Sequence, residues 1–239
     1  MARRSPHTLL IVSAGHRPDD LLVKFGLRDE DRAAWDRSGL PLDSFDEWLT
    51  DRVARRPAGA RAREVYGAED VHDFARRAIL DALALGPPDR LLEVGCGGGL
   101  LLRDALASTP NVTGLDHSED MVHVARERAP RATVVVGDAE ELPFADDTFT
   151  AAALSVVFMF LADPVGVLRE CRRVLVPRGR LAIYTTAPEL RGTPAAPEPL
   201  AAHCRFYADH ELAALLQDAE LEDVRVTNDG GGQLAVAVA

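Results

Sequence analysis

The residues with the clearest chemical potential are Leu91-Leu92-Glu93-Val94-Gly95-Cys96-Gly97-Gly98-Gly99, an apolar run that ends in an acid and a glycine-rich turn. Glycine lets backbone approach a ligand closely. Gly95, Gly97 and Gly99 satisfy G-x-G-x-G, whereas the dinucleotide fingerprint requires Gly or Ala at position 100, where Leu100 stands. Nicotinamide binding is therefore disfavoured. A glycine turn alone is equally a tight loop that binds nothing, so a second site has to agree. Asp116 lies 21 residues beyond Gly95, at the end of the next apolar run. An acid ~20 residues on from such a turn can accept hydrogen bonds from both ribose hydroxyls. The two together predict a ligand containing a ribose. Ser118 and Asp120 read as helix caps for the segment from Met121.

Proton-transfer chemistry is less legible. Among the seven histidines, an isolated imidazole is more often structural or solvent-facing than catalytic. His203 and Tyr207, at the exit of a proline-rich stretch, are the leading candidates, followed by Tyr66 and His72. The Arg169, Arg172, Arg173 cluster has helical spacing and reads as a solvated face. His16-Arg17-Pro18-Asp19-Asp20 resembles the His-Pro-Asp-Asp of zinc-dependent sugar deacetylases, but Arg17 breaks the ligand spacing and no H-x-x-H follows. No metal is expected.

The elements that must position these residues alternate. A helical pattern runs from Val71 to Leu83, then strands at Arg90 to Val94, Val112 to Leu115, Thr133 to Val136, Thr150 to Val157 and Arg180 to Thr185. Helices fit Leu100 to Leu106, Met121 to Arg128, Val165 to Val174 and Glu211 to Ala219, and two last strands fit Glu222 to Thr227 and Leu234 to Val238. This alternation implies an α/β, doubly wound, mainly parallel sheet covered on both faces. Residues 1–75 read as an N-terminal helical cap and 76–239 as the main domain, with 187–203 a proline-rich lid loop.

Composition narrows the partners. The chain has 239 residues, 47% hydrophobic and 27% charged, which suits a globular fold. Acids exceed bases 38 to 27, for a net charge of -11, so nucleic acid is an unfavoured partner. Lys24 is the sole lysine, which argues against lysine-based covalent catalysis. Three scattered cysteines suggest a reducing compartment. The run Ala151 to Ala162 is shorter than the ~20 residues of a membrane span. Leu9 to Val12 is too short for a signal-peptide core. A cytoplasmic location without membrane association is expected; the sequence assigns no oligomeric state.

Four segments, in order, carry a more specific likeness: Glu93 to Gly99; Leu115-Asp116-His117-Ser118-Glu119-Asp120-Met121; Gly137-Asp138-Ala139-Glu140-Glu141-Leu142-Pro143-Phe144; and Arg173 to Leu181. From Val71 to Ala239 the chain resembles the class I S-adenosylmethionine-dependent methyltransferases, and within them the small-molecule branch of ubiquinone and menaquinone biosynthesis enzymes. The resemblance implies a Rossmann-like seven-stranded sheet with the last strand antiparallel. It implies that Glu93, Gly95, Cys96, Gly97 and Gly99 lie against the methionine part of S-adenosylmethionine. Asp116 would hold the ribose, His117 and Met121 would lie near the nucleoside, Asp138 and Ala139 near the adenine, and Ser155 near the methionine end and the incoming acceptor. Phe158, Met159 and Phe160 would wall an apolar substrate pocket. Two departures stand out: a histidine or His-His pair common after the fourth strand is replaced by Phe158 to Pro164, and the usual Pro-Gly-Gly by Pro177-Arg178-Gly179. The Asn/Asp-Pro-Pro-aromatic signature of nucleic-acid amino methyltransferases is absent after that strand. The expectation is methyl transfer to a small, rather apolar metabolite, at oxygen first and carbon second, in bacterial natural-product biosynthesis. A methyltransferase-fold cyclase or isomerase that keeps its cosubstrate without methylating, and a non-catalytic binding protein, are the alternatives.

Overall fold

The computed structural model describes residues 18–66, 72–228 and 231–239. Leu9 to Val12, His16, Arg17 and Val71 lie outside the described residues. Short helices come first: α1 (Pro18–Lys24), α2 (Asp29–Ser38), α3 (Phe45–Thr50) continued by a π-helical turn (Asp51–Arg55), and α4 (Gly59–Tyr66). They share a small core of Leu21, Leu22, Phe45 and Leu49, edged by Trp35, Trp48 and Leu200.

The alternating unit follows: α5 (Asp73–Leu83), β1 (Arg90–Val94), α6 (Leu100–Ala105), β2 (Asn111–Asp116), α7 (Glu119–Arg128) and β3 (Thr133–Val136). It continues through β4 (Phe149–Ser155), α8 (Pro164–Val174), β5 (Leu175–Thr185), α9 (Asp209–Asp218), β6 (Glu222–Asn228) and β7 (Gln233–Val238). The expected strand runs are all present, with ends shifted by a few residues, most at β5.

The seven strands order as β3-β2-β1-β4-β5-β7-β6. β7 runs antiparallel to both β5 and β6, and the pairs among β1 to β5 are parallel, as expected. Apolar side chains alternate between two faces. Leu92, Val94, Leu154 and Ile183 pack with Leu168 of α8 and Leu212 of α9. Leu91, Ala151, Ala153 and Ala182 pack with Ile79 of α5, Leu102 of α6 and Val122 of α7. The order reverses direction between β1 and β4, and the carboxyl ends of strands at such a switch point open a crevice for a ligand. Among the described residues no helix is long and apolar enough to cross a membrane, and no cluster of His, Cys, Asp or Glu could hold a metal ion.

Candidate active site

A cavity of about 680 Å³ opens above the carboxyl ends of β1, β2 and β4, roofed by the N-terminal helices and by Ala195 to Cys204. That volume suits a small-molecule site. The turn after β1 forms its floor. Gly97 has φ +48 and a Cβ built there would meet nothing within 4 Å, so the turn leaves free space over its backbone. Gly99, at φ +76, serves packing instead: a Cβ there would come within 2.9 Å of Ala125 on α7. This is why Gly99 does not line the cavity.

Asp116 ends β2 with its carboxylate fixed by two backbone donors. The Gly97 N–H donates to Oδ2 and the Ser118 N–H to Oδ1, both at 2.8 Å. One acid thereby ties the glycine turn to the next loop. That loop also holds the overlying helices. His117 Nε2 hydrogen-bonds the Arg55 carbonyl at 2.6 Å, the Ser118 hydroxyl donates to the Pro57 carbonyl at 2.7 Å, and Asp120 accepts from the Gly59 N–H at 2.8 Å and Arg63 at 2.9 Å. Ser118 caps α7 as expected, accepting from the Met121 N–H; Asp120 reaches across to α4 instead.

Glu93 is 2% exposed and faces the cavity, yet among the described residues no hydrogen bond reaches its Oε2. Burial, reinforced by the Asp116 charge, pushes its carboxyl well above the usual range. Burial likewise raises the Cys96 thiol. Arg76 brings the opposite charge to the same cavity, held by Asp104 at 2.9 Å and Asp73 at 3.1 Å. Tyr66 donates to the Val53 carbonyl at 3.0 Å; burial and then Asp116 push its phenol up to about 12. Burial and then Arg76 lower the His72 imidazole.

Glu93, Gly95, Cys96, Gly97, Asp116, His117, Met121, Asp138, Ala139 and Ser155 all line this one cavity, as do Tyr66, His72, Met159 and Phe160. Phe158 does not. It is fully buried in the core and packs on Tyr207, centroids 5.7 Å apart, because the short 3₁₀ turn of Phe158–Phe160 points successive side chains in different directions. His203 lies off the cavity and offers its carbonyl to Arg55 at 3.4 Å. Tyr207 lies off it too, in a shallow surface depression shared with Cys204, and no hydrogen bond reaches its buried hydroxyl among the described residues.

Sequence reasoning passed over Arg76, the π-helical turn and Cys204. Arg76 has an ordinary helical position, and its burial comes from α6. The π turn places Arg52 to Arg55 along the cavity, where an inserted residue in a helix often marks a functional site. Arg52 is anchored by fully buried Asp31 at 2.8 Å.

Comparison with known proteins sets this geometry in context. Residues 92–183 match the family described as Methyltransferase domain. The chain is 36% identical over 115 residues to a demethylmenaquinone methyltransferase of Thermotoga maritima, covering 47% of this chain and 50% of that protein. A demethylmenaquinone methyltransferase of Renibacterium salmoninarum is 30% identical over 185 residues, covering 67% of this chain and 78% of that protein. The chain thus spans about half the length of the first of these relatives. The Haemonchus contortus phosphoethanolamine N-methyltransferase 2, solved with S-adenosyl-L-methionine, superposes with a TM-score of 0.66 at 19% identity, over 84% of this chain and 60% of that one. That last likeness is one of fold.

Proposed function

Because the chain belongs to the class I S-adenosylmethionine-dependent methyltransferases, we propose that it transfers a methyl group from S-adenosylmethionine to a small, apolar acceptor bearing an acidic hydroxyl, of the quinol kind. Oxygen is the first acceptor atom and carbon the second. The observation that carries this reading is the convergence in one cavity of the open Gly97 turn, the backbone-fixed Asp116 carboxylate and the orphaned Glu93 carboxylate. These fit the cosubstrate's chemistry. Asp116 keeps acceptor capacity for two ribose hydroxyls, the buried Glu93 oxygen suits an ammonium group, and Arg76 adds positive potential for a carboxylate. Asp138 and Ala139 lie beyond Asp116 in the same wall, where a base would extend.

The bound cosubstrate supplies a methyl already activated by a positive sulfonium. The protein's share is alignment and exclusion of water. Met159, Phe160, Leu161, Ala196 and Leu200 provide an apolar lining for the acceptor. Residues 18–66 and 187–203 act as cap and lid. Lys24 Nζ donates to the Glu198 carbonyl at 3.0 Å and the Arg55 guanidinium to the His203 carbonyl at 3.4 Å, so these segments close on one another. The three free thiols suit a reducing, cytoplasmic setting, and a role in bacterial natural-product metabolism is part of the same reading.

Titration calorimetry with S-adenosylhomocysteine, followed by mass spectrometry of 1,4-naphthoquinol incubated with S-adenosylmethionine, tests it. Binding together with a product heavier by one methyl group is expected. A product of unchanged mass would mean cyclisation or isomerisation instead, and binding without any product a regulatory role. Failure to bind S-adenosylhomocysteine would overturn the reading altogether.

A further inference from the structure

We propose that His72 is the proton acceptor of the transfer, its imidazole receiving the proton of the acceptor's hydroxyl. The inference rests on the methyl-transfer reading above. Three independent observations lead to it.

The backbone comes first. His72 precedes α5 with φ 53 and ψ 35, the left-handed region, and its side chain makes no capping hydrogen bond. That conformation is disfavoured for a non-glycine residue, and helix starts ordinarily use Ser, Thr, Asp or Asn to satisfy backbone donors. The helix therefore gains nothing from a histidine here. Strain retained without a folding benefit is characteristic of functional positions.

The second observation is the ring's surroundings. It lines the cavity, and among the described residues no hydrogen bond engages it; its one ring contact is edge-on to Phe74 at 6.4 Å. Of the other cavity groups able to exchange a proton, Glu93 is taken by the cosubstrate's ammonium in the reading above, and three more are engaged by the backbone. His117 is bonded to the Arg55 carbonyl, Tyr66 to the Val53 carbonyl, and Asp116 to the Gly97 and Ser118 N–H groups.

Charge is the third. Ionisable groups that share the cavity include Arg76 on α5, Glu93 and Cys96 from β1 and its turn, Asp116 at the end of β2 and Tyr66 on α4, and of these Arg76 is the charge that acts on the ring. Burial and Arg76 hold the imidazole below its ordinary range, so it is neutral, and able to accept a proton, at neutral pH. In the step itself the acceptor oxygen forms the bond to the methyl carbon while the carbon–sulfur bond breaks with its electron pair going to sulfur. The hydroxyl proton passes to His72 and from there to water. The sulfonium charge disappears as the imidazolium charge forms, so the cavity's net charge is unchanged and Arg76 does not forbid the step. For a conjugated ring carbon the proton balance is the same, since tautomerisation returns the ring proton to oxygen.

His72→Gly is the decisive variant, because glycine adopts the left-handed backbone without strain and the fold is retained. S-adenosylhomocysteine should bind with wild-type affinity, while single-turnover methylation of 1,4-naphthoquinol should fall about 100-fold or more. Imidazole added to the medium should restore the rate. His72→Asn, which tolerates the same backbone, should be equally slow. The wild-type rate should fall on the acid side, below the ordinary histidine range, and this limb should vanish in His72→Gly. Wild-type turnover in His72→Gly, or a loss that imidazole does not repair, would overturn the assignment. Should the wild type bind S-adenosylhomocysteine yet leave naphthoquinol unmethylated, the acceptor assignment fails separately, and NMR of labelled histidine decides. A His72 ring that titrates low and shifts when naphthoquinol binds supports the proposal; a ring indifferent to naphthoquinol overturns it.

Discussion

Replacing Glu93 by Gln keeps the shape of the side chain and removes its charge. In the ligand-free protein this carboxyl is 2% exposed with one oxygen unbonded among the described residues, and burial raises its pKa well above the ordinary value. The folded state therefore holds the proton more tightly than the unfolded chain does. By linkage, the wild type loses stability relative to Glu93→Gln as pH rises above the unfolded value of 4.5, until the folded group itself ionises. The variant should melt higher at neutral pH, with the difference closing toward pH 4.

Binding should move the other way. If Oε2 receives the ammonium of the cosubstrate, the amide forfeits one charge-assisted hydrogen bond, worth about 1.5–3 kcal/mol, or roughly 10- to 150-fold in Kd. Calorimetry with S-adenosylhomocysteine beside thermal melts from pH 4 to 8 reads both quantities. A protein that gains stability while losing ligand would show that an acid is kept buried at position 93 for binding and not for the fold. Unchanged affinity would remove Glu93 from the site, and a lower melt throughout would refute the burial argument.

Asp116→Ala removes the acceptor of the Gly97 and Ser118 N–H groups as well as the proposed ribose contact. Calorimetry on the folded variant should show S-adenosylhomocysteine weakened by about 1.5–3 kcal/mol for each charge-assisted bond lost, and full affinity would exclude the ribose role. Asp120→Ala strands the Gly59 N–H and frees Arg63; since that ion pair is partly exposed, the loss in cap docking should be only about 1–2 kcal/mol. Hydrogen exchange should then quicken across α4 with β1 unaffected, and no change there would mean that the Asp116–Asp120 loop does not hold the cap. Gly97→Val imposes a β-branched residue at φ +48, a strain of about 1–3 kcal/mol, and also fills the open space over the turn. A ligand titration beside a melt should show affinity falling by more than stability, and retained affinity would mean that the space is unused.

The strands and the floor of the cavity were legible in the sequence because local pattern dictates them. β1 is apolar but for Glu93 between Arg90 and the glycine turn, and Asp116 is the last residue of β2. What the sequence hid depends on contacts made in three dimensions. Nothing in hydrophobic spacing marks the π turn at Asp51–Arg55, since one extra residue in a short helix leaves the apolar pattern of α3 intact. Phe158 and Met159 are adjacent and equally apolar, yet the first enters the core beneath Tyr207 and the second lines the cavity. His203 and His72 are likewise not told apart by residue type. Only the fold shows that the lid turns one outward and the approach to α5 turns the other in.

Backbone strain draws the same distinction without reference to chemistry. Among the described residues, Ala84, Asp147 and Glu220 take positive φ at exposed turns and helix ends, and Arg178 and Asp223 at exposed positions of β5 and β6. His72 and Val156 do so at the cavity, at φ 53 and 57. A β-branched residue in this region is a marked outlier. Val156 is held there because its N–H donates to the Tyr184 carbonyl on β5 at 2.8 Å, extending the sheet by one bond while the chain turns off β4. That turn carries Val157, Met159 and Phe160 along the cavity wall. It also brings Val157 against Gly95, where a Cβ would come within 2.7 Å of its methyl. Strain at Val156 thus sets Val157 against the glycine turn, and strained His72 lines the same cavity. A fold optimised for stability alone would relax both.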